Sequence, residues 1–362
     1  MKKVLLMIPD LRGGGAERVA VNLANNIDDD SIEFTLMTLF DVGINKDRLS
    51  ERVRYKYWLP FRIRGIWRVF KFISPRLLHK LIIRDKYDVE ISYLEGLCTK
   101  IVSGGNASRK IAWLHCELTN NYEYFHYLYN SKDEFMKIYS SYDLIVGVSK
   151  DVIKSFEGEL PEKVEKRVVH NVLDTNEIDC KANMNSNLKL NSNSVNFISV
   201  GRLTQQKGYE RLIKIFGELE SKYPNIHLYI LGDGQLKSEL NNYILTKNIH
   251  CITLLGFVDN PYSVLKEMDC FICSSLQEGY STAVSEALYL GVPVITTNCS
   301  GAEELCSNGA GIVVDNDEIA LKKGIIEYLE NAGLRKSLKI AASKKKETIS
   351  TNSSLNEFYD CL

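Results

Sequence analysis

The sequence predicts an α/β fold: two doubly wound, Rossmann-like domains facing a central cleft. Three observations carry that reading. The chain has 362 residues, more than one ordinary hydrophobic core organises, so two domains are expected. Short apolar runs of strand length alternate with helical segments in both halves, the pattern of repeated βα units. Residues 179–196 lack periodicity and are rich in Asn, Ser and Lys, and after them the alternation starts afresh. The expected divisions are 1–178, 179–345, and a C-terminal segment 346–362 that packs back on the first domain.

Taken in order, Val4 to Ile8 reads as a buried parallel strand. Asp10 to Gly15 is a glycine loop, and Ala16 to Ala24 an amphipathic helix. A strand–loop–helix unit opening on glycines brings backbone N–H groups close to a phosphate or sugar. Gly13 and Gly15 fit the first two positions of a dinucleotide fingerprint, but Arg18 stands at the third, which disfavours a nicotinamide dehydrogenase. A turn that needs glycine only for its backbone is the plain alternative here. Strands are expected at Phe34 to Leu39, Val89 to Tyr93, Lys110 to His115, and Tyr142 to Ser149, with a short strand and turn at Val168 to Asn171. His115 falls at a strand's end, facing the ligand crevice of such a fold, although a hydrogen-bonded structural histidine is equally expected. Residues Tyr122 to Tyr129 are unusually aromatic.

In the second half, strands are expected at Asn196 to Val200, His227 to Leu231, His250 to Leu254, Cys270 to Cys273, and Val294 to Thr297. Tyr209 to Tyr223 and Pro261 to Glu267 read as helices. The strand ending at Cys273 leads into two serines, a turn with Glu278 and Gly279, small and hydroxylated residues, and Glu286 near a helix start. A helix N-terminus favours a carboxylate, so capping explains either glutamate alone, but the pair is harder to explain that way.

Composition excludes several classes. Net charge is −1, so no global polyanion-binding character is expected. Nine cysteines, an odd number with several in apolar runs, point to reduced thiols in a cytosolic chain. Cys270 and Cys273 form a CxxC with Phe and Ile between them and no second pair, which reads as buried strand. The opening MKKVLLMIPD has an apolar run shorter than a signal peptide's, and no run reaches the length of a membrane span.

Residues 61–86 stand apart: eight Lys or Arg against one acid, Asp85, interleaved with aromatic and aliphatic residues at helical spacing. Ser74-Pro75 divides them into two short helices. Such a stretch suits an interfacial element on an anionic bilayer, and equally a helix packed on the sheet with a basic outer face.

With that layout, the chain resembles the retaining glycosyltransferases of the GT-B fold, family 4 type. The matching marks are Gly14-Gly15-Ala16-Glu17-Arg18, Gly201-Arg202 with Lys207-Gly208, Gly232-Asp233-Gly234, and Glu278 followed by Glu286 after seven residues. They cover most of the C-terminal half and the entry to the N-terminal one. The resemblance implies that the first domain binds the acceptor and the second a nucleotide-sugar donor. Arg202 and Lys207 then neutralise the departing diphosphate, with no metal or other cofactor. Glu278 faces the donor sugar, amid Gly14, Gly15 and the loop Gly279, Tyr280, Ser281 and Thr282. Glu286 accepts from the ribose hydroxyls, and His115 matches a position where this family often carries a histidine beside the transferred sugar. The sequence Gly279-Tyr280-Ser281-Thr282 departs from the Gly-Leu-Pro or Gly-Phe-Gly of many relatives, which leaves the donor sugar open.

The resemblance further implies a UDP-sugar donor, a polyprenyl-diphosphate-linked saccharide acceptor, work on the inner face of the membrane from the cytoplasm, and a role in surface polysaccharide or capsule synthesis. Domain closure would assemble the catalytic residues Glu278, His115, Arg202 and Lys207 around the anomeric carbon. Rival readings are a nucleotide-sugar epimerase on the same fold, separable by acceptor dependence, and a sugar-binding protein that has kept the fold without catalysis.

Overall fold

The computed structural model describes residues 1–118, 129–186, 188–190 and 193–362. Within the predicted aromatic run, Tyr122 to Leu128 lie outside the described residues. The chain forms two compact units. One is Met1–Leu173 together with Thr351–Leu362, and the other is Asp174–Ser350. The sequence boundary at 178/179 falls inside a helix, Thr175–Ala182, which Asp174 caps by accepting from the Glu177 N–H. Composition changes after that helix; the change of unit comes before it.

In the N-terminal unit a seven-stranded sheet has the order β3-β2-β1-β4-β5-β6-β7. Its strands are β1 (Lys2–Ile8), β2 (Ile32–Phe40), β3 (Arg54–Leu59), β4 (Val89–Ser92), β5 (Arg109–Leu114), β6 (Leu144–Gly147) and β7 (Glu165–Val168). All pair in parallel. β1 is apolar on both faces because helices cover both, and Val4 to Ile8 are fully buried. β3 is absent from the sequence reading. As an edge strand of sequence RYKYWL it is only partly buried and lacks the continuous apolar run that marks the inner strands. The closing helix Thr351–Tyr359 belongs to this unit, with Phe358 fully buried against Phe34 and Trp113.

In the C-terminal unit six strands follow the order β10-β9-β8-β11-β12-β13. They are β8 (Val195–Val200), β9 (Ile226–Leu231), β10 (Ile252–Gly256), β11 (Cys270–Cys273), β12 (Val294–Thr297) and β13 (Gly311–Val314), again all parallel. The helix Tyr209–Leu219 lays Leu212, Ile213, Ile215, Phe216 and Leu219 on the sheet, the 3.6-residue stripe of a half-buried helix. β13, four residues at the other edge, was too short to read from sequence. Cys270 and Cys273 are buried free thiols in β11. Among the described residues, no helix is long and apolar enough to cross a membrane.

Candidate donor site and its surroundings

The site in the C-terminal unit grows from its topology. β8 and β11 are neighbours, but the chain leaves β8 toward β9 and leaves β11 toward β12. Loops that diverge from two adjacent parallel strands leave a crevice at their carboxyl ends, where open α/β sheets bind ligands. One wall is the loop Gly201 to Gly208 and the other is Ser274 to Ser281. The walls are stitched together. The Leu276 N–H donates to Gln206 O (2.7 Å), Gln206 Nε2 to Gln277 O (3.0 Å), and Ser274 Oγ to Lys207 O (2.9 Å). Gly208 has φ +63°, and a Cβ there would sit 2.1 Å from Ser274 O, so the close approach needs glycine. The Gly232 motif braces the first wall from behind. A Cβ at Gly232, φ +143°, would fall 1.9 Å from Gly201 O.

At the centre, Lys207 Nζ lies 2.5 Å from Glu278 Oε1, although 71 residues separate the two in sequence. The same carboxylate oxygen accepts the Ser275 hydroxyl at 2.6 Å. Burial presses the Lys207 ammonium toward neutrality, but the charge and hydrogen bond of Glu278 together with Cys273 outweigh that, and the pKa stands above the ordinary lysine value. Arg202 is exposed on the same loop, and its guanidinium hydrogen-bonds to no described residue. Arg211, from the following helix, donates to Ser274 O (2.7 Å) and Ser275 O (2.8 Å), fixing the strand end that carries Glu278. Ser275 and Arg211 were not among the sequence candidates. The strand ending in two serines was a signal for the first; nothing marked Arg211.

Neither glutamate caps a helix. The helix runs Thr282–Tyr289, and Ser281 is its N-cap, accepting from the Val284 N–H. Glu278 lies upstream, in the loop. Glu286 is buried within the helix, where Tyr262 donates its hydroxyl to Oε1 at 3.0 Å. Between the two carboxylates the chain bends at Gly279 and Tyr280, and the helix then opens at Thr282 behind its cap Ser281. The arrangement offers an exposed guanidinium, a shielded ammonium and two carboxylates. These can meet an anion at one end and hydroxyl groups at the other. Among the described residues, no group of three or more His, Cys, Asp or Glu side chains is arranged to hold a metal ion.

The remaining candidates belong to the N-terminal unit. Gly14 precedes the helix Gly15–Asn26 with φ −96° and ψ 164°, a backbone open to any residue. A Cβ at Gly13 would meet only the tip of Ile44, at 3.3 Å, and one at Gly14 only the Glu17 carboxylate. Backbone geometry therefore does not require glycine at these two positions. His115 is 7% exposed at the end of β5, stacked edge-on to Tyr93 at 4.6 Å. Burial pushes its pKa down to about 3, partly offset by a backbone hydrogen bond, so the ring is neutral. Its Nε2 is buried without a partner among the described residues. Glu95, which the sequence reading passed over, accepts the backbone N–H groups of both His115 and Cys116.

Residues 61–86 pack one face on the N-terminal unit and leave the other exposed. They form helices Ile66–Phe70 and Pro75–Ile82, the second capped by Ser74. Leu78 and Ile82 are buried, whereas Leu77 and Leu81, one residue earlier on each turn, face out. Phe61, Ile63, Val69 and Phe72 are exposed too, Phe72 at 83%. Around them Arg62, Arg64, Arg68, Arg76, Lys80 and Arg84 are exposed. The outer face is thus apolar and basic together, beyond what a packed helix with a basic outer face requires.

Residues 181–345 match the family model described as glycosyl transferases group 1. An uncharacterized glycosyltransferase of Methanocaldococcus jannaschii is 31% identical over 273 residues, 72% of this chain and 67% of that one. The N-acetylgalactosamine-N,N'-diacetylbacillosaminyl-diphospho-undecaprenol 4-alpha-N-acetylgalactosaminyltransferase of Campylobacter jejuni is 28% identical over 365 residues, 95% of each chain. Among solved structures, Anabaena HepE in complex with UDP and glucose superposes with TM-score 0.75 over 99% of each chain at 17% identity. That likeness shows the fold, two parallel-sheet Rossmann-like units on the GT-B plan.

Proposed function

The chain belongs to the group 1 glycosyltransferases, and we propose that it is a retaining, metal-independent enzyme of the family 4 type. It moves a sugar from a nucleotide-sugar, with UDP the first nucleotide to try, to a lipid-linked saccharide in surface polysaccharide synthesis. The observation that carries this reading is the meeting of Lys207 and Glu278 at the β8/β11 switch point, with Arg202 free on the same loop.

Arg202 and Lys207 supply the positive charge that a departing diphosphate needs, which is the work a divalent cation does elsewhere. Glu278 accepts from hydroxyls of the donor sugar and Glu286 from the ribose. The bond from the anomeric carbon to the diphosphate oxygen breaks ahead of attack, through an oxocarbenium-like state. The acceptor hydroxyl forms the new bond on the same face, and its proton passes to the leaving diphosphate. A neutral His115 with a free Nε2 suits a hydrogen bond to a sugar hydroxyl rather than proton transfer at neutral pH. The Campylobacter relative's named acceptor, an undecaprenol diphosphate saccharide, supports a lipid-linked acceptor here. The apolar and basic face of residues 61–86 supports action as a peripheral protein on an anionic membrane, on its cytoplasmic side.

The test is nucleotide release from UDP-, GDP- and ADP-sugars with a membrane lipid extract, in chelator, with the product's anomeric configuration read by NMR. Acceptor-dependent release with retained configuration is expected. Formation of an epimeric nucleotide-sugar without acceptor or net nucleotide release would point to the epimerase, inversion would exclude the retaining assignment, and inactivity restored by a divalent cation would exclude metal independence.

A further inference from the structure

We propose that Glu278 is the counter-ion of Lys207 while the site is empty, and that a donor's diphosphate binds by taking the lysine away from it. The inference rests on the nucleotide-sugar reading of this site. Three observations carry it. Lys207 Nζ is already engaged, 2.5 Å from Glu278 Oε1, so the cation intended for a phosphate is neutralised in advance. The cavity that Lys207, Ser275 and Glu278 line has room for no more than about one water, far less than a phosphate group. Arg202, by contrast, stands exposed on the same loop and hydrogen-bonds to no described residue.

These groups define an order of events. The diphosphate meets Arg202 first, because that charge is unoccupied. It then competes with Glu278 for Lys207. Ser275 determines what becomes of the carboxylate. Its hydroxyl donates to the same Oε1 that holds Lys207, at 2.6 Å, and its carbonyl is clamped by Arg211 at 2.8 Å. When the lysine leaves, Ser275 still holds Glu278. The other oxygen, Oε2, accepts no hydrogen bond from a described residue and is open to a sugar hydroxyl. One carboxylate thereby serves twice, blocking the anion site when empty and reading the sugar when filled. A partly buried charge pair is costly to break when nothing replaces the lost partner, so a free anion that lacks a sugar is discriminated against.

Calorimetric titration of UDP, GDP and ADP into wild-type protein, Glu278→Gln, Lys207→Ala and the double variant tests this. Glu278→Gln should bind the preferred nucleoside diphosphate about tenfold more tightly than wild type. In the Lys207→Ala background the same substitution should change affinity less than about twofold, because its effect runs through the lysine. Ser275→Ala, which removes the donor that still holds Glu278 after the lysine leaves, should weaken nucleotide binding about threefold, and it serves as the readout should Glu278→Gln fail to fold. Unchanged or weaker binding by Glu278→Gln, or unchanged or tighter binding by Ser275→Ala, overturns the inference and leaves the nucleotide-sugar reading standing. A gain that persists without Lys207 also overturns it, since simple repulsion between Glu278 and the phosphates would then suffice. Failure of wild type and all variants to bind any of the three nucleotides overturns both.

Discussion

The C-terminal unit brings β8 and β11 together at its switch point and hangs a lysine and a glutamate from them, 2.5 Å apart. The N-terminal unit does the same with β1 and β4, and hangs from them a glycine loop and Glu95, whose carboxylate holds the backbone of His115. One sheet plan thus yields a charged crevice in one unit, and in the other a crevice of open backbone with a neutral ring. The glycines differ in the same sense. Gly208 and Gly232 are required by close backbone contacts, whereas a Cβ at Gly13 would meet only the tip of Ile44 and one at Gly14 the Glu17 side chain. Under the function proposed above, a phosphate or sugar approaching the backbone would account for glycine there. The lesson is that a shared fold assigns places, and the side chains at those places assign chemistry.

The comparison can be broken most directly at the charged crevice. Lys207→Ala should cut turnover about 10²–10³-fold, the usual effect of losing one group that stabilises developing charge. Arg202→Ala should do likewise, and circular dichroism should show both folds intact. Wild-type rates in both variants would remove the C-terminal unit's claim to the chemistry.

Next come the glycines. Gly208→Ala should destabilise by about 2 kcal/mol or more, because the left-handed backbone and the contact with Ser274 O both oppose a Cβ. Gly13→Ala should leave the melting temperature within about a degree, as Ile44 can turn aside. Equal thermal shifts in the two variants would erase the distinction between structural and functional glycines.

On the outer face of the N-terminal unit, neutralising Arg64 and Arg68 should lower the affinity for anionic liposomes, read by co-flotation, by about thirtyfold, given about 1 kcal/mol for each charge near a surface. Phe72→Ser should lower it further, and neutral liposomes should bind weakly throughout. Equal flotation of wild type and variants would remove the membrane assignment.

The smallest effect concerns His115. Its folded pKa lies below that of the unfolded chain, so the unfolded state binds the extra proton first. The stability from this group is complete above about pH 6.5 and is lost as pH falls from there toward about 3. Thermal unfolding of wild type should therefore weaken more between pH 7 and pH 5 than that of His115→Gln. A parallel decline in the two would show that His115 is not the buried neutral group described.

Much of this was legible in the chain. Inner strands such as β1, β8 and β11 are covered on both faces, so their apolar runs announce themselves. The edge strands β3 and β13 were missed for the opposite reason, being half exposed or four residues long. Lys207 and Glu278 stood out as charges in loops after strands, and Glu286 as an acid among small residues near a helix start. Ser275, Arg211 and Glu95 act through hydrogen bonds to loops, and each is an unremarkable residue type in its own segment.

By itself, then, the sequence determined the alternation of strand and helix, the restart in the second half, and the residue types at the strand ends. Those follow from local periodicity and turn chemistry, which act over a few residues. Strand order is settled by which faces bury one another, and that depends on contacts far apart in the chain. Only the tertiary structure placed β11 beside β8, passing over β9 and β10. That one adjacency set Glu278 against Lys207, with Arg202 exposed on the lysine's own loop.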